Sequence, residues 1–352
     1  DQEAAMDIPA HPLEVVWDIT YACPLRCSHC YSESGRRPAR RLGPRDMLRA
    51  ADAILGLRPR GICLAGGEPL LVRELSEVAG RFSAAGVPVS LFTSGWNLRP
   101  ETTEALSRDF SGVSVSLDGA TAEVHDRIRG RRGSFDRALR ALRLLDEAAR
   151  AGGARADGGR PRFGIDCVVV RSNFHQVEEL LTDVAPRFPA LGHVSFGAVV
   201  PEGLASRRGF AEHELLSDSQ AALLGSPEYA RHLRSLAPPS VKVTSTDNLA
   251  LQMHPELIRR GIYLPILQIE PDGRVRAMAA YEGTVGNVLT DPPAELWRRA
   301  IARWHHPFVV DALTPVRTMR QWAEATRAID HHFASQADRE RIGRRPEFVP
   351  GR

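Results

Sequence analysis

Cys23-Pro24-Leu25-Arg26-Cys27-Ser28-His29-Cys30-Tyr31 is the stretch on which the reading turns. Its three thiols are spaced C-x₃-C-x₂-C. A short apolar run, Leu13 to Ile19, precedes it and reads as a strand. Thiolates held this close on one loop can bind three corners of an iron–sulfur cube. A cube ligated wholly by protein takes four cysteines. No fourth lies nearby, so one iron is left open to a ligand from outside the chain. The competing readings are a zinc site and a buried apolar cysteine cluster. Structural zinc wants a fourth Cys or His. His29 is at hand, but it sits between two of the ligands, where its ring is expected to point elsewhere.

Outward from that loop, strands and helices alternate. Candidate strands are Glu14–Ile19, Gly61–Leu64, Val87–Phe92, Gly112–Leu117, Arg162–Val170 and His193–Val200. Helical patterns lie between them: Pro44–Leu57, Val72–Ala85, Glu101–Arg108, Ser134–Ala151 and Phe174–Phe188. Repeated β-then-α order implies an α/β fold with a parallel sheet and right-handed crossovers. Six such units are fewer than the eight of a closed barrel. Ligands bind at the carboxyl ends of such strands, and the cysteine loop follows the first strand directly. The stretch from Glu147 to Gly159 dissolves into Ala, Gly and Arg and reads as a loop. After Pro201 the pattern changes. Ala211–Leu236 reads as helical with a break at Gly225–Pro227, Val241–Thr244 as a short strand, then a helix through Arg260. Ile262–Glu270 and Arg274–Ala280 read as two strands joined by the turn Pro271-Asp272-Gly273. Helices near Ala294–Trp304 and Arg317–Gln336 follow, and the charged tail from Asp338 reads as loosely held.

Three further segments sit where strands end, and a fourth follows them. Gly66-Gly67-Glu68-Pro69 follows the second strand; its glycines let backbone approach a ligand closely. Thr93-Ser94-Gly95 ends the third strand and Ser116-Leu117-Asp118-Gly119 the fourth. Burying such a hydroxyl or carboxylate without partners is costly, so a polar ligand is one reading and a cap or turn the other. His125-Asp126-Arg127-Ile128-Arg129-Gly130 comes next, with Gly133-Ser134-Phe135 behind it.

The cysteine spacing and these segments, in this order, resemble the radical S-adenosylmethionine (SAM) enzymes. The last segment resembles the SPASM/twitch branch of that superfamily. The resemblance implies a partial (β/α)₆ barrel over residues 1–205, with a small C-terminal α+β twitch-like remnant over residues 206–352 closing its mouth. It implies one [4Fe–4S] cluster on Cys23, Cys27 and Cys30, whose open iron chelates the amino and carboxylate groups of SAM. It further implies a SAM site drawn from His29, Gly66, Gly67, Glu68, Pro69, Ser94, Ser116, Asp118 and Arg129. In it Glu68 matches the residue that meets the methionine ammonium, and Arg129 is the candidate for the carboxylate, a task that suits a guanidinium fork. His29 stands where the family often has an aromatic residue edging the adenine. His125 and Asp126 are expected to order their loop. Ser94 replaces the Asn that the family more often shows. Around Leu267–Val288 the hairpin outline persists, but no cysteine follows Cys167, and Met278 stands where one is expected. No auxiliary cluster is therefore expected.

Cys63 and Cys167 lie within predicted strands, where most cysteines are small core residues. The sharper reading makes one of them a hydrogen-atom donor to a substrate radical, Cys167 first and Cys63 second. The histidine pairs 305–306 and 331–332 read as surface positions.

Composition excludes several classes. Of 352 residues, 43% are apolar and 25% charged, which is ordinary for a globular protein. A net charge of +3 is too small to argue for nucleic acid or an anionic membrane. No apolar run suits a membrane-spanning helix, and the N-terminal dozen residues lack a signal-peptide pattern. Five cysteines, three of them clustered, make no disulfide framework. The expected compartment is the reducing cytoplasm, and the expected reductant a flavodoxin- or ferredoxin-type protein. Few residues precede the first strand, which favours a small-molecule substrate: a sugar, nucleoside or other natural-product intermediate, as in antibiotic biosynthesis. The alternative in the same class is a ribosomally made peptide. The alternative of another class is a cluster-containing binding or sensing protein. Epimerisation, elimination, decarboxylation and rearrangement all suit an enzyme with a single cluster.

Overall fold

The computed structural model describes residues 8–152, 155 and 158–351. The segment ahead of residue 8 and part of the 147–159 loop lie outside the described residues. Ten strands form one sheet: β1 (Glu14–Asp18), β2 (Gly61–Ala65), β3 (Val89–Thr93), β4 (Gly112–Ser116), β5 (Phe163–Val169), β6 (His193–Ala198), β7 (Lys242–Thr246), β8 (Ile266–Ile269), β9 (Arg274–Arg276) and β10 (Thr284–Asn287). Their order is β10-β9-β8-β1-β2-β3-β4-β5-β6-β7. The run from β8 to β7 is parallel throughout, and β9 and β10 add antiparallel at one edge. The expected boundary at 205/206 is therefore no break in the sheet. β7 pairs with β6 and β8 pairs with β1, so the C-terminal strands extend the six-unit half-barrel at both edges.

Period-2 alternation sorts the strands' side chains into two layers. Val15, Trp17, Ile62, Leu64, Val113 and Val115 join the apolar cluster beneath the helices. Five helices cover the first half: α1 (Pro44–Gly56), α2 (Leu75–Ala84), α3 (Pro100–Asp109), α4 (Ala122–Arg129) and α5 (Ser134–Arg150). In α5 the buried residues Phe135, Ala138, Ala141, Leu142 and Leu145 recur at helical spacing and make one apolar stripe. Asp126 fixes the start of that helix by accepting from Gly133 N at 2.7 Å and Phe135 N at 2.7 Å, the ordering role expected of it.

The helix expected over Phe174–Phe188 is broken. A 3₁₀ stretch (Arg171–Gln176) leads into one α-turn (Val177–Glu179), a π-turn (Leu180–Val184) and a second 3₁₀ turn (Ala185–Arg187). Pro186 lacks the N–H a regular helix needs, and its ring crowds the preceding turn, so the backbone widens there. No helix among the described residues is long and apolar enough to cross a membrane.

Candidate active site

Three elements grip the cysteine loop through backbone hydrogen bonds. From the turn after β2, Gly67 N donates to Thr20 O (2.8 Å) and Glu68 N to Ala22 O (2.9 Å). At the end of α4, Arg129 O accepts from Arg26 N (3.0 Å) and Ile128 O from Ser28 N (2.9 Å). After β6, Leu204 N donates to Cys30 O (3.0 Å). These approaches explain two glycines. A Cβ on Gly67 would overlap the Ala22 carbonyl, and one on Gly130 the Arg26 carbonyl.

A cavity of about 460 Å³ opens inside the half-barrel, with Cys23, Cys27 and Cys30 on its wall. His29, Gly66, Gly67, Ser94, Ser116 and Arg129 share that wall, and Glu14, Val16 and Cys63 line its depth. Burial pushes the Cys23 thiol up to about 12. It pushes Cys27 to about 11, against the pull of the Arg129 guanidinium, whose Nη1 lies 3.7 Å from Cys27 Sγ. Among the described residues no three His, Cys, Asp or Glu side chains converge on a single metal ion. His29 turns its Nε2 to Asp118 Oδ2 at 2.8 Å, which leaves only Nδ1 for any further contact. Three soft donors on one loop, spread over one cavity wall, fit a cluster that presents several irons.

Two carboxylates expected to touch SAM lie behind the wall instead. Glu68 is fully buried. Its oxygens accept from Leu70 N (3.0 Å), Thr93 Oγ1 (2.8 Å), Ser94 N (2.9 Å) and the Ser94 hydroxyl. Burial still raises its pKa against those four bonds. Glu68 therefore holds the end of β3, and Ser94 is what reaches the cavity. Pro69 opens the 3₁₀ turn after it and is also behind the wall. Asp118 is equally buried. Its Oδ2 faces His29 Nε2 and, at 2.7 Å, Arg129 Nε, while Oδ1 accepts from Val168 N at 3.0 Å. Burial raises its pKa, but Arg129 and His29 more than offset that and hold the carboxyl well below the usual range. One carboxylate thus ties the cysteine loop, α4 and β5 together. Asp118 N donates to His125 Nδ1 (2.9 Å), and burial with Arg129 nearby lowers His125 to about 4, which keeps it a neutral acceptor.

The isolated cysteines separate by strand face. Cys167 shares its side of β5 with Ile165 and Val169 and belongs to the apolar cluster. Cys63 lies opposite Ile62 and Leu64, paired in register with Val16 and Ser90 on the inner face. Both border the cavity, and of the two Cys63 is the one on the inward face of its strand.

Sequence reasoning missed three acids. Asp166 lines the cavity from β5, beside Ser116 in register, and its carboxylate has no hydrogen-bond or ion-pair partner among the described residues. Burial and then Asp118 push it up to about 7. Glu202, after β6, also lines the cavity, and burial pushes it to about 8. Asp18 accepts from Tyr31 Oη (2.6 Å) and Gln268 Nε2 (2.7 Å), and burial raises it to about 6. The available signal was an acid inside an apolar strand at an inward position, in Val16-Trp17-Asp18 and Ile165-Asp166-Cys167.

The tail expected to be loose is held. Helix Gln336–Gly343 carries Arg341 into ion pairs with Glu33 and Glu282, and Arg345 joins both, at 3.0 and 3.2 Å. Phe348 packs edge-on against Phe210, with ring centroids 5.3 Å apart. The charge that made the tail look solvated is spent on buried acids.

Residues 17–154 match the family described as the radical SAM superfamily. Mycofactocin maturase MftC of Mycobacterium tuberculosis is 37% identical over 180 residues, 51% of this chain and 43% of that protein. The AdoMet-dependent heme synthase of Nitratidesulfovibrio vulgaris is 24% identical over 309 residues, 81% of this chain and 78% of that protein. SuiB of Streptococcus suis, solved bound to precursor peptide SuiA, superposes with a TM-score of 0.64 at 16% identity. That match covers 89% of this chain and 69% of SuiB, and it shows a shared fold. The chain spans less than half the length of MftC. Cysteine loop, half-barrel and family match agree on residues 17–154, which carry a radical SAM domain; members of that superfamily use a [4Fe–4S] cluster and S-adenosylmethionine.

Proposed function

We propose that this chain is an enzyme that cleaves SAM at a single [4Fe–4S] cluster and takes a hydrogen atom from a ribosomally made peptide. The observation that carries it is the sharing of one cavity wall by Cys23, Cys27, Cys30 and the strand-end residues Gly66, Ser94, Ser116 and Arg129. Cys23, Cys27 and Cys30 would hold the cluster. Together a bound cluster and SAM would supply a 5′-deoxyadenosyl radical for taking hydrogen from a C–H bond.

The chain's own residues orient and shelter that chemistry. Arg129, fixed by Asp118, brings a guanidinium beside Cys27 and suits the SAM carboxylate. Glu68 fixes Ser94 at the wall. Cys63, whose thiol burial raises well above the ordinary value, keeps its hydrogen on sulfur and is the inward donor for a product radical. With Cys63 and Cys167 as the remaining cysteines, the chain cannot ligate a second all-cysteine cube. Epimerisation, elimination, decarboxylation and rearrangement, none of which hands an electron to an internal second cluster, suit it best.

The names of the relatives favour the peptide over the small molecule that the short N-terminal segment had suggested: one is a maturase and one is bound to a precursor peptide. That segment's length carries no weight here. The cavity, about 460 Å³, lies in the lower part of the range for ligand pockets, about 300–1,000 Å³. That suits SAM plus one side chain better than SAM plus a second large molecule. The small-molecule reading keeps one support, the heme synthase similarity over most of the chain. A binding or sensing role leaves Ser94, Ser116 and Arg129 on the wall without a task. Anaerobic reconstitution followed by spectra with and without SAM, and then a 5′-deoxyadenosine assay, tests the reading. Peptides and metabolites encoded beside the gene are the substrates to offer. Turnover with a peptide supports the proposal; turnover only with a small molecule replaces it with the second reading; a cluster whose spectrum ignores SAM refutes both.

A further inference from the structure

Outside the cavity, the back of the cysteine loop presents four consecutive carbonyls, and arginines cover all of them. Arg26 Nη1 donates to Cys23 O (2.9 Å) and Leu25 O (2.7 Å). Arg131 Nη1 donates to Pro24 O (2.7 Å), and Arg36 Nη2 to Arg26 O (2.8 Å). Arg131 also lies over the Trp96 ring at 4.0 Å, and Arg137 over the same ring at 4.9 Å. Arg26, Arg36, Arg131 and Arg137 are all exposed, and none forms an ion pair among the described residues. Exposed arginines elsewhere are mixed: Arg49 pairs with Asp46 (2.8 Å) and Arg298 with Glu295 (2.6 Å), whereas Arg58 and Arg73 form no ion pair among the described residues; what sets these four apart is that they gather on one loop. The positive charge behind the loop is thus left uncompensated, on a chain whose net charge is only +3.

We infer that this arginine face, anchored on the backbone of the cysteine loop and extended by Trp96, is the docking surface for an acidic one-electron carrier protein. The inference rests on the proposed function and deepens it. A patch of one sign, held rigidly by its own hydrogen bonds, steers an oppositely charged partner and raises the association rate. Its place on the loop decides what the partner is for. A carrier seated there rests on arginines bonded to the backbone of Cys23 itself, and none of those arginines lines the cavity that SAM and substrate must enter. One electron leaves the carrier's reduced flavin or iron–sulfur centre, which is oxidised, and enters the cluster, which is reduced; no bond breaks and no proton moves. An acidic precursor peptide is the rival occupant, but its reacting residue must enter the cavity, and none of the four arginines lines it.

The experiment uses the reconstituted full chain with a reduced plant-type ferredoxin and a flavodoxin, both acidic. Arg137→Glu, which disturbs no loop carbonyl, and Arg131→Glu/Arg137→Glu are compared with the unaltered protein. The expected result is weaker carrier binding by anisotropy, and cluster reduction slower by about tenfold or more at low salt, the scale of electrostatic steering. Salt dependence flattens in both variants, while in Arg137→Glu cluster content and reduction by photoreduced deazaflavin stay unchanged. Unchanged carrier affinity and reduction rate in both variants would overturn the inference. So would a loss of affinity for an acidic precursor peptide with carrier binding intact. Deazaflavin-driven SAM cleavage reports separately on the proposed function, so the two readings fail distinguishably.

Discussion

His29 Nε2 and Asp118 Oδ2 lie 2.8 Å apart across 89 residues of chain, and the same oxygen is 2.7 Å from Arg129 Nε. One carboxylate without solvent exposure neutralises a guanidinium and orients an imidazole from the cysteine loop. Asp118→Ala leaves Arg129 buried without its counter-ion, a change that typically costs about 3–5 kcal/mol. We expect lower thermal stability and poorer cluster retention, with Asp118→Asn milder. The depressed carboxyl pKa sets the pH window. Its stabilisation is present above the unfolded value of about 3.9 and is lost as pH falls through the lower folded one. Melting curves should show a constant difference between Asp118→Asn and the parent at neutral pH that closes only in strong acid. A difference absent at pH 7 would rule out the tie.

Glu68→Gln places an amide N–H₂ among four donors that now meet a carboxylate. The repulsion should displace Ser94, so SAM binding weakens while iron content is kept. Ser94→Ala should reproduce most of the loss. Equilibrium dialysis with labelled SAM checks this; Glu68→Gln weakening SAM binding while Ser94→Ala has no effect would show that Glu68 touches SAM directly.

Alanine at Cys23, Cys27 or Cys30 should abolish cluster assembly and SAM cleavage. The parent should carry about four irons per chain, the content of one cube. About eight irons, with a second cluster surviving in the triple variant, would refute the single-cluster reading.

Cys63→Ala and Cys167→Ala should diverge. Cys63 faces the cavity, so its loss should still yield 5′-deoxyadenosine but stall or divert the product. Cys167 is packed with Ile165 and Val169, so its loss should cost stability and leave the product intact. Product analysis and melting of the same two proteins decide between them, and normal product from Cys63→Ala removes it as donor.

Asp166 gives a pH signature of the opposite sign to Asp118. Folding raises its pKa to about 7, so between roughly pH 4 and 7 the native state holds a proton that the unfolded chain has released. Stability then falls as pH rises through that window. Asp166→Asn should remove this slope, with its largest stabilisation near pH 8. Parallel melting curves for the two proteins from pH 4 to 9 would contradict the assignment.

Much of this was legible because local rules carried it. The first six strands begin and end within two residues of their expected bounds, apolar runs punctuated by Gly, Pro and Asp. The cysteine loop's place after β1 followed from the order of motifs alone. Most of the failures share a cause: they depend on residues far apart in sequence. Nothing near Ile266 says that it pairs with Glu14, or near Arg345 that its partner is Glu33. Glu68 and Asp118 stand in motifs that point to ligand contact, yet their carboxylates turn to backbone and side-chain donors around them. The Cys63 assignment was recoverable. Ile62 and Leu64 flank it with apolar bulk, whereas Cys167 has Ile165 and Val169 two residues away on its own face.

The pairing of β1 with β8 also imposes an order on biosynthesis. Val16 emerges from the ribosome some 250 residues before its register partner Gln268. At about 5–20 residues per second, β1 waits for roughly 10–50 s with one edge bare. The thiols immediately downstream stay on an unfinished support for the same interval. Metal delivery during translation would meet a loop whose neighbours are not yet made, so the cell gains most by loading iron after the chain is released. A cellular chaperone that covers the bare edge of the nascent first strand would protect the metal site before any metal is there.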